Sequence, residues 1–261
     1  MNCIVFSRDR ALQLEAFLCS VALHAPELSL TVLYRSTTAR FEEAYSELKR
    51  LHSDVTWVHE TTFRRSLLEL IGDAAFTVFH TDDDVYFRTP SPFELRSDEV
   101  CFSLRLGLNT VYSYSLDVEQ RLLGARVVGE RVSWNWRSQG PGELGYPLAL
   151  NGHVFRTAEV HRWLEEAQFT NPNSLEAALQ YANPDLPPLM ASFRHSVVVS
   201  IPANIVNETH ANRHGAYADP GELNERFLAG ERIDVTAMDF STVRACHQEI
   251  PFAWRRVASG R

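Results

Sequence analysis

Apolar runs of strand length alternate with stretches of helical length over the first eighty residues, and this alternation limits the folds open to the chain. The strand-length runs are NCIVF (2–6), LSLTVLY (28–34), DVTWVH (54–59) and AAFTVFH (74–80). Between them, three stretches keep apolar residues near helical spacing, at 11–25, 39–53 and 63–74. Strands that alternate with helices predict an α/β fold with a parallel-core sheet and helices on both faces.

The alternation becomes looser after Pro92. Short strands are predicted at 100–106 and 146–155, on either side of a stretch rich in Trp and Gly. Further predicted elements are helices at 158–168, 174–182 and 222–233 and a strand at 197–206. The sequence contains no internal repeat and no linker rich enough to divide it, so we expect a single domain.

Composition excludes several classes of function. The net charge of −8 and the pI near 5.7 argue against a nucleic-acid partner. Lys49 is the only lysine, which argues against Schiff-base and P-loop chemistry, whereas arginines are well suited to phosphate oxygens. Four scattered cysteines indicate free thiols in a reducing compartment. No apolar run approaches the roughly 20 residues of a transmembrane segment, and we expect a soluble, cytoplasmic protein.

Three adjacent carboxylates, Asp82, Asp83 and Asp84, follow the fourth predicted strand directly. In parallel sheets, ligands bind at the carboxyl ends of the strands, where Ser7–Arg10 after the first strand would also lie. Carboxylate oxygens suit Mg²⁺ or Mn²⁺, and these ions bind phosphates. The alternative interpretation is a solvated turn in which one Asp caps a helix.

Four blocks of sequence, in this order, resemble the GT-A glycosyltransferases, and in particular family-2-like bacterial enzymes with an Asp-x-Asp motif. They are FSRDRALQL (6–14), TDDD (81–84), GYPLALNGHVFR (145–156) and PANIVNETHANRHG (202–215). The resemblance implies a Rossmann-like GT-A core with a smaller mixed region on the acceptor side. Residues 1–95 would form the nucleotide-sugar-binding half, and residues 96–261 the acceptor-binding and closing half of the same domain.

The resemblance also implies a Mn²⁺ or Mg²⁺ cofactor at the aspartates. Asp84 is expected to bind the metal directly, and Asp82 to contact the ribose or a metal-bound water. The ion would stabilise negative charge on the departing diphosphate. Alternate side chains of an extended segment face opposite sides, so Asp83, also a nucleotide-sugar-binding candidate, is expected to point away.

Ser7, Arg8 and Arg10 resemble the nucleotide-contacting loop of the family. One of the two arginines would pair with a phosphate or stack on the base, and the alternative is a salt bridge with Asp9.

A His in a C-terminal segment often supplies a third metal ligand in this family. His210 and His214 are both candidates, and Arg213 beside them is a candidate phosphate clamp.

The GYPLALNGHVFR block is expected to line the acceptor side. The family often has Asp where this chain has Asn151, and because an amide accepts no proton, a general base at this position is in doubt. Glu143 is the substitute candidate, and without a base a retaining mechanism or an inactive protein would gain weight. Trp134 and Trp136 are candidates for stacking on a sugar, or else for core indoles.

The resulting hypothesis is a hexosyltransferase-type enzyme that uses a nucleotide-sugar donor, most simply a UDP-sugar, and an unidentified glycan, peptide or small-molecule acceptor. Two alternatives stay open. A sugar-nucleotide nucleotidyltransferase shares the fold but normally carries a Gly-rich, Lys-containing loop, which SRDRALQ (7–13) lacks. A non-catalytic nucleotide-sugar- or carbohydrate-binding protein would keep the fold without turnover.

Overall fold

Four parallel strands and the helices between them form the N-terminal part of the protein. The computed structural model describes residues 1–182, 185–206, 213–215 and 219–257. The N-terminal elements are β1 (Asn2–Arg8), α1 (Ala11–His24), β2 (Ser29–Arg35), α2 (Ala39–Leu51), β3 (Thr56–His59), α3 (Phe63–Leu70) and β4 (Phe76–Thr81). Each predicted strand and helix of this half is present, so the α/β prediction is confirmed.

The described residues of the remaining part of the chain form shorter strands and three helices. The strands are β5 (Asp84–Tyr86), β6 (Glu99–Ser103), β7 (Tyr112–Ser113), β8 (Val118–Glu119), β9 (Arg126–Val128), β10 (Arg131–Asn135), β11 (His153–Arg156), β12 (Leu189–Phe193), β13 (Val198–Ser200), β14 (Glu231–Ile233) and β15 (Trp254–Arg256). The helices are α4 (Thr157–Glu166), α5 (Pro172–Ala182) and α6 (Pro220–Leu228).

Among the described residues, nine strands form one central sheet in the order β3-β2-β1-β4-β11-β6-β12-β10-β9. The first four are mutually parallel, whereas β11 runs antiparallel to both β4 and β6. The two halves of the chain therefore share one sheet. The carboxyl ends of β1 and β4 lie side by side, since Phe6 pairs with Thr81.

Helices cover both faces of the sheet, as the alternation predicts. Cys3 and Val5 of β1 pack in one apolar cluster with α1 and α2, whereas Ile4 and Phe6 pack in the other with α3 and α4. This division follows from the two-residue period of a strand. Helix α1 buries ten of its fourteen residues because it packs against β5, α2 and α6 as well as the sheet. No helix in the described ranges is long and apolar enough to cross a membrane.

Several predicted elements of the second half are wrong in extent or missing. The helix predicted at 222–233 ends at Leu228, because the chain turns at Gly230 with a φ of 82° and continues as β14. The strand predicted at 197–206 is regular only over Val198–Ser200. Strands β10 and β12 were not predicted, and both lie between β6 and the edge strand β9 of the sheet.

Candidate functional site

A cavity of about 790 Å³ opens at the carboxyl ends of β1 and β4. It is lined by residues of both halves of the chain, including nine of the eleven residues that the sequence singled out. These nine are Ser7, Arg8, Arg10, Asp82, Asp83, Glu143, Asn151, Arg213 and His214. Side chains from four distant sequence blocks therefore meet in one place.

A tight turn after β1 directs Arg10 towards the aspartates. Asp9 has a φ of 55°, in the left-handed region, which Asp tolerates better than most residues. Its carboxylate accepts hydrogen bonds from the backbone N–H and the hydroxyl of Thr37, both at 2.8 Å, and these bonds fix the turn. Helix α1 then begins at Ala11, one residue beyond Arg10.

The Asp82 carboxylate is surrounded by donors from the loop after β1. Asp82 Oδ2 accepts hydrogen bonds from Ser7 Oγ at 2.9 Å and from the Arg8 backbone N–H at 3.2 Å. Asp82 Oδ1 lies 3.1 Å from Arg10 Nη1, and the same nitrogen lies 3.4 Å from Asp83 Oδ2. Arg10 thus supplies the positive charge that compensates two of the three aspartates.

The protonation of these two carboxylates reflects a balance of burial and charge. Burial raises the pKa of Asp82 to about 6, although the Arg10 charge opposes the shift and the neighbouring Asp83 charge adds to it. Burial also raises the pKa of Asp83, again against the effect of Arg10 and with that of Asp84. Both carboxyls therefore bind a proton more readily than an ordinary Asp.

Asp84 lies behind the cavity and does not line it among the described residues. Its side chain is fully buried: Oδ2 lies 2.7 Å from His80 Nδ1 and accepts the Thr81 backbone N–H, while Oδ1 accepts the Ser200 hydroxyl. Burial alone would raise the pKa of Asp84, but the bonds to His80 and Ser200 and the charges of His80 and Arg105 lower it.

The orientation expected for Asp83 is wrong, and the cause is local. Asp82 and Asp83 form a turn between β4 and β5 instead of an extended segment, so the alternation of strand side chains does not apply. Asp83 points into the cavity with Asp82, and Asp84 turns into the core as the first residue of β5.

As they stand, the side chains of this acidic turn do not fit a divalent ion. Both oxygens of Asp82 and both oxygens of Asp84 already accept hydrogen bonds, and Arg10 occupies the space between Asp82 and Asp83 with its own positive charge. Of the described residues, only Glu15, Cys19 and His52 bring three ligand atoms within 4.8 Å of one another, and they do not line the cavity.

Glu15 itself is poorly placed for a metal. Its Oε1 atom lies 2.9 Å from Arg255 Nη2, and Arg232 Nε lies 3.9 Å away, so two guanidinium groups already supply positive charge there.

Glu143 lines the cavity from a short 3₁₀ turn, Glu143–Gly145. Gly142 precedes it with a φ of 127°, a conformation that favours glycine. Glu143 Oε1 accepts a hydrogen bond from Ser113 Oγ at 3.1 Å, whereas Oε2 is buried and has no hydrogen-bond partner within the described part of the chain. A carboxylate oxygen with spare capacity at a cavity wall is suited to accept a proton.

Asn151 is a fixed amide. Its Oδ1 accepts a hydrogen bond from Arg105 Nη1, and its Nδ2 donates to Ser200 Oγ at 3.2 Å. Gly152 follows with a φ of 68°, and a Cβ atom there would lie 3.5 Å from the Cβ of Arg105. The Asn151 amide is thus held between Arg105 and Ser200, and its part in catalysis stays a prediction.

Three candidates from the sequence remain, Arg213, His214 and His210. Arg213 is exposed and donates to Tyr112 OH at 2.9 Å and to Asp117 Oδ1 at 3.0 Å, while His214 lies exposed at the cavity. His210 lies outside the described residues.

The two tryptophans do not line the described cavity. Trp134 is buried and donates to the Leu144 carbonyl at 2.9 Å, and Trp136 donates to the Pro187 carbonyl at 2.8 Å. The alternative of core indoles is the better interpretation for Trp134, which is 1% exposed.

The sequence interpretation missed many of the cavity residues, among them the polar residues Arg105, Glu176, Asn204 and His247. Arg105 could have been found from the sequence, because it is a charged residue inside the apolar run VCFSLRL. An arginine in such a run is rarely buried unless it has a partner. Burial raises the pKa of Glu176, whose Oε2 accepts the Leu150 backbone N–H at 2.8 Å.

No known protein family and no curated protein matches the chain. Comparison with solved structures finds glycosyltransferases. A mannosyltransferase from Pyrobaculum calidifontis, in complex with GDP-Man and Mn²⁺, is 14% identical, with a TM-score of 0.31 over 43% of this chain and 41% of that one.

Two further neighbours cover more of the chain. The galactosyltransferase LgtC, in complex with donor and acceptor sugar analogues, is 12% identical, with a TM-score of 0.40 over 85% of this chain and 95% of that one. The glycosyltransferase GlyE of Streptococcus pneumoniae is 12% identical, with a TM-score of 0.31 over 87% and 63%. Likenesses this distant do not establish the family of the chain.

Proposed function

We propose that this protein is a glycosyltransferase that moves a sugar from a nucleotide-diphospho-sugar, most simply a UDP-sugar, to an acceptor hydroxyl. The observation that carries the proposal is the shared cavity. The loop after β1, the acidic turn after β4 and the 3₁₀ turn at Glu143 line it together, although they lie far apart in sequence.

In this proposal the donor binds on the side of the cavity formed by residues 1–95. Arg8 and Arg10 offer guanidinium groups to the diphosphate, since Arg is suited to phosphate oxygens. Asp82 and Asp83 lie beside them, so incoming phosphates compete with these carboxylates for Arg10. Residues of the segment 96–261 form the opposite wall, where the acceptor is placed.

Glu143 is proposed as the general base. The Glu143 carboxylate takes the proton of the acceptor hydroxyl as the hydroxyl oxygen attacks the anomeric carbon. The bond between that carbon and the phosphate oxygen breaks, and the nucleoside diphosphate leaves with the electron pair. Asn151 takes no part in the proton transfer, because an amide accepts no proton and its oxygen is already bonded to Arg105.

Dependence on Mn²⁺ or Mg²⁺ stays a prediction for this site. The side chains as arranged do not fit the ion, so no step of the reaction is assigned to it. Asp82 and Asp83 would become available as ligands only when Arg10 leaves them.

The test is incubation of the protein with UDP-glucose, UDP-galactose, UDP-GlcNAc and GDP-mannose, with and without Mn²⁺. Slow hydrolysis that releases the nucleoside diphosphate supports a transferase. Release of pyrophosphate from a nucleoside triphosphate and a sugar phosphate would support a nucleotidyltransferase instead. Binding of a donor without any release would indicate a non-catalytic binding protein.

A further inference from the structure

Arg105 follows β6 and lies at the wall of the cavity with only 3% of its surface exposed. Removing a guanidinium group from water is costly unless a negative charge compensates it. Arg232, the other fully buried arginine of the described residues, follows this rule and lies 2.5 Å from Glu47, and the half-buried Arg131 forms an ion pair with Glu99.

The hydrogen-bond partners of Arg105 are neutral, and they include the Cys246 thiol, whose pKa is raised by burial to about 11. The Nη1 atom of Arg105 donates to the side-chain and backbone oxygens of Asn151, and its Nη2 atom lies 3.3 Å from His247 Nδ1. Its Nε atom is buried and has no hydrogen-bond partner among the residues that the structure describes. No carboxylate in those residues lies within 4.0 Å of the guanidinium.

The nearby carboxylates are already engaged or are at a longer range. The charges of Glu143 and Asp84 reach Arg105 without forming an ion pair. Asp84 is held by His80 and Ser200.

The histidines beside Arg105 add no negative charge and, in the folded protein, little positive charge. Burial, followed by the Arg105 charge, lowers the pKa of both His153 and His247 to about 3. Arg105 is therefore a fixed positive charge in this wall, and neutral side chains surround it.

We propose that Arg105, with Asn151 and His247 beside it, forms a subsite for an oxyanion, a phosphate or carboxylate group of a substrate. The inference rests on the proposed function and adds the chemistry of one substrate group to it. The shared chemistry has two possible sources, the diphosphate of the donor or an acid group on the acceptor.

The experiment measures binding of four probes by calorimetry in the presence of EDTA: UDP, inorganic pyrophosphate, glucuronate and glucose. The variants are Arg105→Met, which keeps the side-chain volume and removes the charge, and Arg65→Met as a control on the exposed face of α3. We expect at least a tenfold loss of affinity in Arg105→Met for an anionic probe and no change in Arg65→Met.

The two arms distinguish the sources. A loss confined to UDP and pyrophosphate assigns the subsite to the donor diphosphate. Binding of glucuronate but not glucose, lost in Arg105→Met, assigns it to an acidic acceptor. Equal affinities of wild type and Arg105→Met for every anion would overturn the proposal, as would wild type that binds none of them.

A second measurement covers the case in which Arg105→Met does not fold. Crystals of the wild type soaked in pyrophosphate, and separately in glucuronate, should show the anion within hydrogen-bond distance of the Arg105 guanidinium, and an anion bound only elsewhere contradicts the proposal. These readouts are independent of turnover. If the protein binds an anion through Arg105 but hydrolyses no donor, the proposed transferase is rejected and the subsite is kept. If Arg105→Met leaves turnover unaffected, the subsite is rejected and the transferase is kept.

Discussion

Arg10 Nη1 lies 3.1 Å from Asp82 Oδ1, so a guanidinium group stands where a divalent ion would approach the acidic turn. An arginine and a divalent ion cannot both occupy this position. Arg10→Met should therefore raise the affinity for Mn²⁺ at least tenfold, which corresponds to about 1.4 kcal/mol. Titration of Mn²⁺ followed by electron paramagnetic resonance measures this directly.

Two further variants control this experiment. Arg65→Met removes an exposed arginine of α3 and should leave the affinity for Mn²⁺ at the wild-type value. Asp82→Asn, added to Arg10→Met, should reverse the gain. If Arg10→Met and wild type bind Mn²⁺ equally, Arg10 does not compete for the aspartates.

Asp83 and Asp84 are adjacent but should differ in their contribution to stability. Asp84→Ala leaves buried donors on His80 and Ser200 without their acceptor, and we expect it to lower the free energy of unfolding by roughly 3 kcal/mol or more. Asp83→Ala removes a side chain at the cavity wall and should cost less than about 1 kcal/mol. Urea unfolding of both variants checks this, and equal losses would contradict the structural role of Asp84.

Glu143→Gln should lower turnover by roughly 10²- to 10⁴-fold, because the amide keeps the shape of the side chain but accepts no proton. Donor affinity should stay unchanged, since Glu143 lies on the wall proposed for the acceptor. Initial rates and donor binding are measured separately for this purpose. Glu165→Gln, on the exposed face of α4, is the matched control and should turn over at the wild-type rate. Wild-type turnover in Glu143→Gln would remove it from the mechanism.

His153 should make the protein sensitive to acid. Its pKa is lowered from 6.5 to about 3 by burial and by the Arg105 charge, so between these values the unfolded chain binds a proton that the folded protein does not. The contribution of His153 to the free energy of unfolding is therefore fully present above pH 6.5 and is lost as the pH falls towards 3. From pH 7.5 to 5.0 the loss attributable to His153 should be about 2 kcal/mol.

Urea unfolding at the two pH values isolates this contribution. The difference between them should shrink by that amount in His153→Gln and should persist in His195→Gln, which alters an exposed histidine. A pH dependence that is the same in wild type and His153→Gln would show that His153 does not titrate differently on unfolding.

The N-terminal half was predictable because each of its strands and helices shows a complete hydrophobic pattern within its own stretch of sequence. The runs at 2–6 and 74–80 are long and apolar, and the parallel connection rule places their carboxyl ends together. That placement alone predicted that Ser7, Arg10 and Asp82 would meet.

The rest of the site depends on contacts that no local pattern contains. Arg105 lies next to Asn151 and His247 only because β6, β11 and the bridge between Ser200 and His247 bring three distant segments together. Asp84 was expected to face the ligand, but the turn at Asp82 and Asp83 rotates it into the core.

Arg10 also donates through Nε to Asn204 Oδ1 at 2.8 Å, and this bond spans 194 positions of sequence. Arg10 thus contacts the acidic turn and the segment at 201–206 at the same time, in addition to the backbone bond from the Ile201 N–H to the Asp83 carbonyl at 2.7 Å. A cation or proton that neutralises Asp82 and Asp83 weakens the contacts of Arg10 with these two carboxylates and leaves its contact with Asn204. A change of charge on Asp82 or Asp83 therefore acts on the same side chain that holds Asn204.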